Sequence, residues 1–193
     1  MARSRGFDID LVLDAAMGAF WDRGYAETSA QDLVDGTGLG RGSLYNAFGS
    51  KHGLFEAALR RYDEQTSAPT MRRLEDEGRP AMERLREFLE SVVREETAPT
   101  PGRRGCLVVN SAMELAGRDE KVTEVVRRTF ERMENALTTC VRHGQAEGVI
   151  GADRDPRELA QYLLSSMYGL RVMGKVADRQ VMSGVVEKVL LSL

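Results

Sequence analysis

The sequence predicts an all-α chain. Across its 193 residues the apolar positions recur at spacings of three and four rather than two, no alternating run reaches convincing strand length, and only five prolines interrupt it. That length suits one large domain or two small ones sharing a core. At 42% hydrophobic and 30% charged residues, the composition is that of an ordinary globular protein.

A first helix is expected from Asp8 or Asp10 to Arg23, with Ile9, Leu13, Ala16, Met17 and Phe20 on one stripe, Val12 and Ala19 flanking it, and Gly24 as the C-terminal cap. Arg3 and Arg5 precede it in a segment too polar to fold alone, read as a tail rather than an arm for a minor groove. Thr28 or Ser29 can cap a second helix, which Gly36 and Gly38 end. Gly40 starts a third helix too short to stand without packing, and Ser50 caps a fourth that begins at Lys51. Pro69 predicts a kink or break, with a further piece around 71–77.

Pro80 suits the first turn of the helix carrying Leu85, Phe88, Leu89, Val92 and Val93, and 98–105 (APTPGRRG) reads as a loop. A mostly apolar helix over 106–116 follows. Asp119 caps a long helix to about Glu147, Pro156 begins another, and Asp178 to Leu193 makes the last. The expectation is about nine helices.

The stretch Gly24 to Lys51 is the most informative. Leu33, Val34, Leu39, Leu44 and Phe48 face inward, which leaves Thr28, Ser29, Arg41, Gly42, Ser43, Tyr45, Asn46 and Lys51 facing out, the pattern of a helix-turn-helix. A helix entering a major groove needs phosphate contacts that fix register and base-edge contacts that read sequence. Gly42 and Ser43 permit close approach, and Arg41 can reach a guanine edge or a phosphate. Tyr45 and Asn46 carry groups suited to phosphate or base, Lys51 at a helix start makes an anion site, and Thr28 can donate a hydroxyl to the opposite strand.

In this stretch and just before it, Phe20, Gly24, Thr28-Ser29, Leu33, Gly38-Leu39, Gly42, Leu44-Tyr45, Phe48, Lys51 and Leu54 form an ordered set that resembles the TetR family of transcriptional regulators over roughly residues 8 to 60. The resemblance implies a three-helix DNA-binding head in which Tyr45 and Lys51 hold phosphates. Gly40, where a Ser or Thr cap is common, and Asn46, where His or Tyr is usual, depart from the pattern and put the operator sequence in doubt. A weaker likeness runs from Arg104-Gly105-Cys106-Leu107 through Asn110 and Glu114-Leu115-Ala116 to Asp119 and Val122. It implies a C-terminal domain that binds a small effector and dimerises through its last two helices. The division expected is 1–50 for DNA binding and 51–193 for effector binding and dimerisation, joined by the helix from Ser50.

Small residues at Ser165, Ser166, Gly169, Ser183 and Gly184 would let those last helices pack closely across a two-fold axis. For the effector pocket the expected apolar wall is Phe88, Val92, Val109, Met113, Phe130, Met133, Met167 and Tyr168, with Asn110 and Arg171 as polar groups. An apolar residue at helical spacing is more often plain core, and that reading stands beside the pocket for each of them. Cys106 joins them with two readings open. One is a buried packing residue; the other is a reactive thiolate favoured by Arg103, Arg104 and a helix N-terminus, as in family members with a similar segment that respond to oxidants or electrophiles.

A net charge of −3 argues against binding nucleic acid by bulk charge, and residues 1–62 hold seven Lys or Arg against eight Asp or Glu, so attraction must come from a local surface. Neither of the two cysteines has metal-ligand spacing, and no cofactor or metal is implied. With no secretory h-region and no run near the roughly 18 apolar residues of a membrane span, a cytoplasmic location is expected. A homodimeric repressor on double-stranded DNA, released by an unidentified small molecule, is the reading. The rivals are an interaction protein that has lost ligand-controlled DNA binding, and an enzyme using Cys106 and His143, for which no acid or oxyanion element is spaced to complete the set.

Overall fold

A computed structural model describes residues 7–99 and 104–193. Arg3, Arg5 and Arg103 lie outside the described residues. The order is α1 (Ile9–Glu27), α2 (Ala30–Thr37), α3 (Arg41–Phe48), α4 (Lys51–Tyr62), a π turn (Asp63–Ser67), α5 (Ala68–Leu74), α6 (Ala81–Glu96), α7 (Leu107–Leu115), α8 (Glu120–Ala146), α9 (Pro156–Met173) and α10 (Arg179–Leu191). Because α4, the π turn and α5 run on as one rod, the described residues form nine helical rods and no strand.

Of the kink or break expected at Pro69, the break is absent and a π turn stands just before it. The Ala68 amide donates to the Asp63 carbonyl five residues back, and this wider turn admits a proline near the start of α5, where its missing N–H costs little. The inward stripe of α1 is also rotated from expectation. Val12, Ala16 and Phe20 are buried, whereas Ile9 is 55% exposed.

Two apolar clusters organise the rods. The first joins Val12, Phe20, Leu33, Leu44, Phe55 and Tyr62 to Leu107, Val109, Val122 and Val126, so α7 and the start of α8 complete the core beneath α1–α4. The second gathers α5, α6, the later part of α8, α9 and α10 around Leu85, Leu89, Leu137, Leu163 and Val186. At the edge of the first cluster, Trp21 lies edge to face on Tyr62 at 4.9 Å and its indole N–H donates to the Gly105 carbonyl at 2.9 Å.

The turn between α3 and α4 is tight. Ser50 accepts the Gly53 amide at 3.0 Å, and a Cβ on Gly53 would lie 2.1 Å from the Phe48 carbonyl oxygen. Gly53→Ala is accordingly expected to cost about 1–3 kcal/mol through overpacking, read as a lower urea midpoint at unchanged slope; a wild-type midpoint would contradict the packing described.

Candidate nucleic-acid interface and ligand cavity

Local chemistry sets the entry and exit of each short helix. Ser29 is the N-cap of α2, accepting the Asp32 amide while the Asp32 carboxylate accepts the Ser29 amide, a reciprocal capping box. Gly38 ends α2 at φ 69°, a left-handed cap that glycine adopts without Cβ strain. Gly40 precedes α3 with no side-chain cap, which leaves the first amides of α3 open.

Arg41, Gly42 and Asn46 are exposed along α3, Ser43 and Tyr45 are half-buried at its margins, and Leu44 is buried beneath. The Arg41 guanidinium lies 5.7 Å from the centre of the Tyr45 ring. Lys51 sits at the first turn of α4, its Nζ 4.5 Å over the Tyr25 ring and 3.4 Å from the Ala26 carbonyl. Seven of the eight residues expected to face outward thus stand on the open side of this unit or at its edge.

Thr28 is the exception and a correction. It is fully buried, and its hydroxyl donates to the Gly24 carbonyl at 2.6 Å, so it serves the end of α1 rather than a DNA strand. The cause is Gly24, whose φ of 81° and ψ of 175° break α1 from within and turn Thr28 back onto the exposed carbonyl. Ser29, not Thr28, is the cap.

A cavity of about 40 Å³ lies among α4, the π turn, α5, α6, α7, α8 and α9. Seven expected wall residues reach it: Phe88, Val92, Cys106, Met133, Met167, Tyr168 and Arg171. The other four do not. Val109 packs into the first core, and Asn110 donates to the Arg104 carbonyl at 2.8 Å beside an open surface cleft. Met113 lines that same cleft and is 68% exposed, and Phe130 stacks behind Tyr168 at 4.4 Å. On α7 and α8 the neighbours Val108 and Thr129 reach the cavity instead. One residue turns a helix by about 100°, enough to put Val108 and Thr129 where Val109 and Phe130 are expected.

Sequence reasoning also missed the polar lining. Tyr62, Thr66, Ser67, Thr70 and Ser91 face the cavity, two of them from the π turn, which no periodicity foretells. Burial pushes both the Tyr62 and Tyr168 hydroxyls well above the ordinary tyrosine range, so both are O–H donors at neutral pH. Burial opposes the charge on Arg171, but the Glu95 carboxylate together with Glu96 and the other groups around it outweighs this and holds it charged. It pairs with Glu95 at 2.6 Å and with the buried Glu96 at 2.9 Å.

Cys106 is the N-cap residue of α7 and is buried. Arg104 does not turn toward it but pairs with Asp22 and lies 5.3 Å over the Trp21 ring. His143 is elsewhere, against Arg84 and Glu147, ten residues along α8 from the wall residue Met133, or about 15 Å. Burial pushes the Cys140 thiol up to about 11. The described residues contain no cluster of three or more His, Cys, Asp or Glu able to hold a metal, and no helix long and apolar enough to cross a membrane.

A short helix presented over a Gly-containing turn, backed by a larger helical body with a small internal cavity, defines a helix-turn-helix DNA-binding regulator. The family profile described as "Bacterial regulatory proteins, tetR family" matches residues 12–58, and "Tetracyclin repressor-like, C-terminal domain" matches 81–188. The chain belongs to the TetR family of transcriptional regulators. It is 33% identical, over 91% of its length and 90% of the relative's, to the uncharacterized HTH-type transcriptional regulator YezE of Bacillus subtilis. It is 30% identical to the HTH-type transcriptional repressor ComR of Escherichia coli, over 90% and 82% of the two chains. Among solved structures it resembles a cysteine-substituted CifR, a TetR family transcriptional regulator complexed with 26-bp double-strand operator DNA, at 35% identity and a TM-score of 0.85 over 98% of this chain and 99% of that one.

Removing the Arg171 guanidinium would strand Glu96 in the interior. Arg171→Met is expected to cost about 3–5 kcal/mol in chemical denaturation, and adding Glu96→Gln should recover part of that loss; equal stability of both variants with wild type would show that the pair is not buried as described.

Proposed function

We propose that the chain is a homodimeric repressor that holds double-stranded operator DNA through α3 and Lys51 and is released by a small molecule entering the α4–α9 cavity. The observation that carries this reading is the exposed face of α3, where Arg41, Gly42 and Asn46 are open to solvent, with the half-buried Tyr45 on the same helix and Lys51 at the start of α4. A guanidinium, an unobstructed backbone and an amide suit a groove, and a hydroxyl and an ammonium at the edges suit the phosphates that border it. Residues 1–50 act as the DNA-binding part and 51–193 as the effector-binding and dimerising part, with the rod from Ser50 common to both.

The partner in the dimer is a second copy docked on α9 and α10. Tyr162, Val172, Val181 and Leu191 on or beside these helices are exposed, and Ser165, Gly169, Ser183 and Gly184 leave room for close approach. Two heads then enter major grooves about one DNA turn, or roughly 34–36 Å, apart on a pseudo-palindromic site. The CifR complex with operator DNA and the ComR repressor support both the DNA partner and the direction of regulation.

The cavity bounds the effector. Its donors are the Tyr62 and Tyr168 hydroxyls beside an already neutralised Arg171, so it favours a small, uncharged molecule with a hydrogen-bond acceptor. Binding releases DNA only by the difference in its affinity for the two head arrangements. The chain is not an enzyme in this account, since Cys106 and His143 stand apart, and it works in the cytoplasm beside its DNA.

A footprint over the DNA flanking its own gene should show two-fold symmetric protection that Tyr45→Ala or Lys51→Ala weakens tenfold or more. Asymmetric protection, or protection indifferent to both substitutions, would overturn the proposal.

A further inference from the structure

We infer that Glu114, on α7, is a positioning residue for DNA binding: it holds the turn that in turn holds Lys51. The inference rests on the reading of Lys51 as a phosphate contact. Its basis is the break in α1. With φ of 81° at Gly24, the amides of Tyr25 and Ala26 lose the helical carbonyls they would otherwise reach. Both instead donate to the one Glu114 carboxylate, Tyr25 to Oε2 at 2.9 Å and Ala26 to Oε1 at 2.6 Å. A carboxylate accepting two backbone amides is a strong, directional clamp.

The opposite side of the same segment carries Lys51. Its Nζ lies over the Tyr25 ring and against the Ala26 carbonyl, so the ammonium is placed by the two residues that Glu114 clamps. Gly24 itself is fitted to the clamp, since a Cβ there would stand 2.9 Å from Glu114 Oε2. Glu114 touches no DNA in this arrangement. It lies on α7, whose N-cap Cys106 and first-turn Val108 line the cavity. The chain from cavity wall to phosphate contact is therefore Val108, Glu114, the Tyr25–Ala26 peptide and Lys51.

The test compares wild type, Glu114→Gln, Lys51→Ala and the double variant, as full-length protein, by fluorescence polarisation on the footprinted DNA across a salt series, with thermal melts alongside. Gln keeps the shape but can accept only one of the two amides. Glu114→Gln should weaken DNA binding about tenfold and lower the slope of log K against log salt by about 1.8, the value of one lost phosphate contact in each of the two protomers. The double variant should bind no more weakly than Lys51→Ala alone. Weaker binding at the wild-type slope, additive with Lys51→Ala, would mean general loosening and would overturn the inference, as would wild-type binding by Glu114→Gln. If Lys51→Ala itself binds and titrates with salt like wild type, the assignment of Lys51 fails and the inference with it. Should Glu114→Gln not fold, Glu114→Asp, which keeps the charge one methylene short, takes its place with the same readouts.

Discussion

Phe20 meets Phe55 edge to face at 5.0 Å, Tyr25 meets Phe55 at the same separation, and Phe20 and Tyr25 stack on each other at 6.3 Å. These contacts fix α1 on α4, and the rest of the head depends on them. An eight-residue helix such as α3 is far below the length at which a helix persists alone in water. It exists because Leu44 has a core to enter, and that core is bounded by the α1–α4 pair. Contact between large rings adds directional energy to buried area, so it sets angle as well as attraction. The angle of α4 is then carried through the π turn into α5 and the second core, where Met71 and Leu74 are buried.

An acidic chain that binds DNA appears contradictory only if charge is averaged. Three acidic residues of α1 are held in ion pairs away from α3. Asp10 and Asp14 pair with Arg61 at 2.9 Å each, and Asp22 pairs with Arg104. The α3 face keeps Arg41 and Lys51 with no carboxylate paired to either among the described residues, each instead lying over an aromatic ring. Over a Debye length of about 8–10 Å that arrangement, rather than the net charge, is what a phosphate meets.

The parts legible in the sequence are those that local chemistry decides. Gly38, Ser50 and Asp119 act at helix ends as their residue types dictate, because a cap needs only the amides or carbonyls of the adjoining turn. The buried Leu33 and Leu44 were legible for the same reason, since a short amphipathic helix has one apolar choice. What failed depended on residues distant in sequence or on phase. Thr28 reads as a free hydroxyl until the break at Gly24 turns it inward. Val108 and Thr129 were passed over for Val109 and Phe130 because a nearly all-apolar helix does not announce which side faces a cavity. The π turn beside Pro69 and the Glu114 clamp, 88 residues from the amide of Ala26, leave no trace in periodicity.

The central claim is that an acidic chain is held on DNA by a small basic edge rather than by its overall field. Competition between the footprinted site and a scrambled duplex of equal length, measured across salt concentration, tests it most directly. The account predicts two protomers on the native site, a preference for it of at least about a thousandfold, and a negative salt slope reflecting only the few phosphates bordering two α3 helices. Equal affinity for both duplexes, or binding that ignores salt, would contradict it.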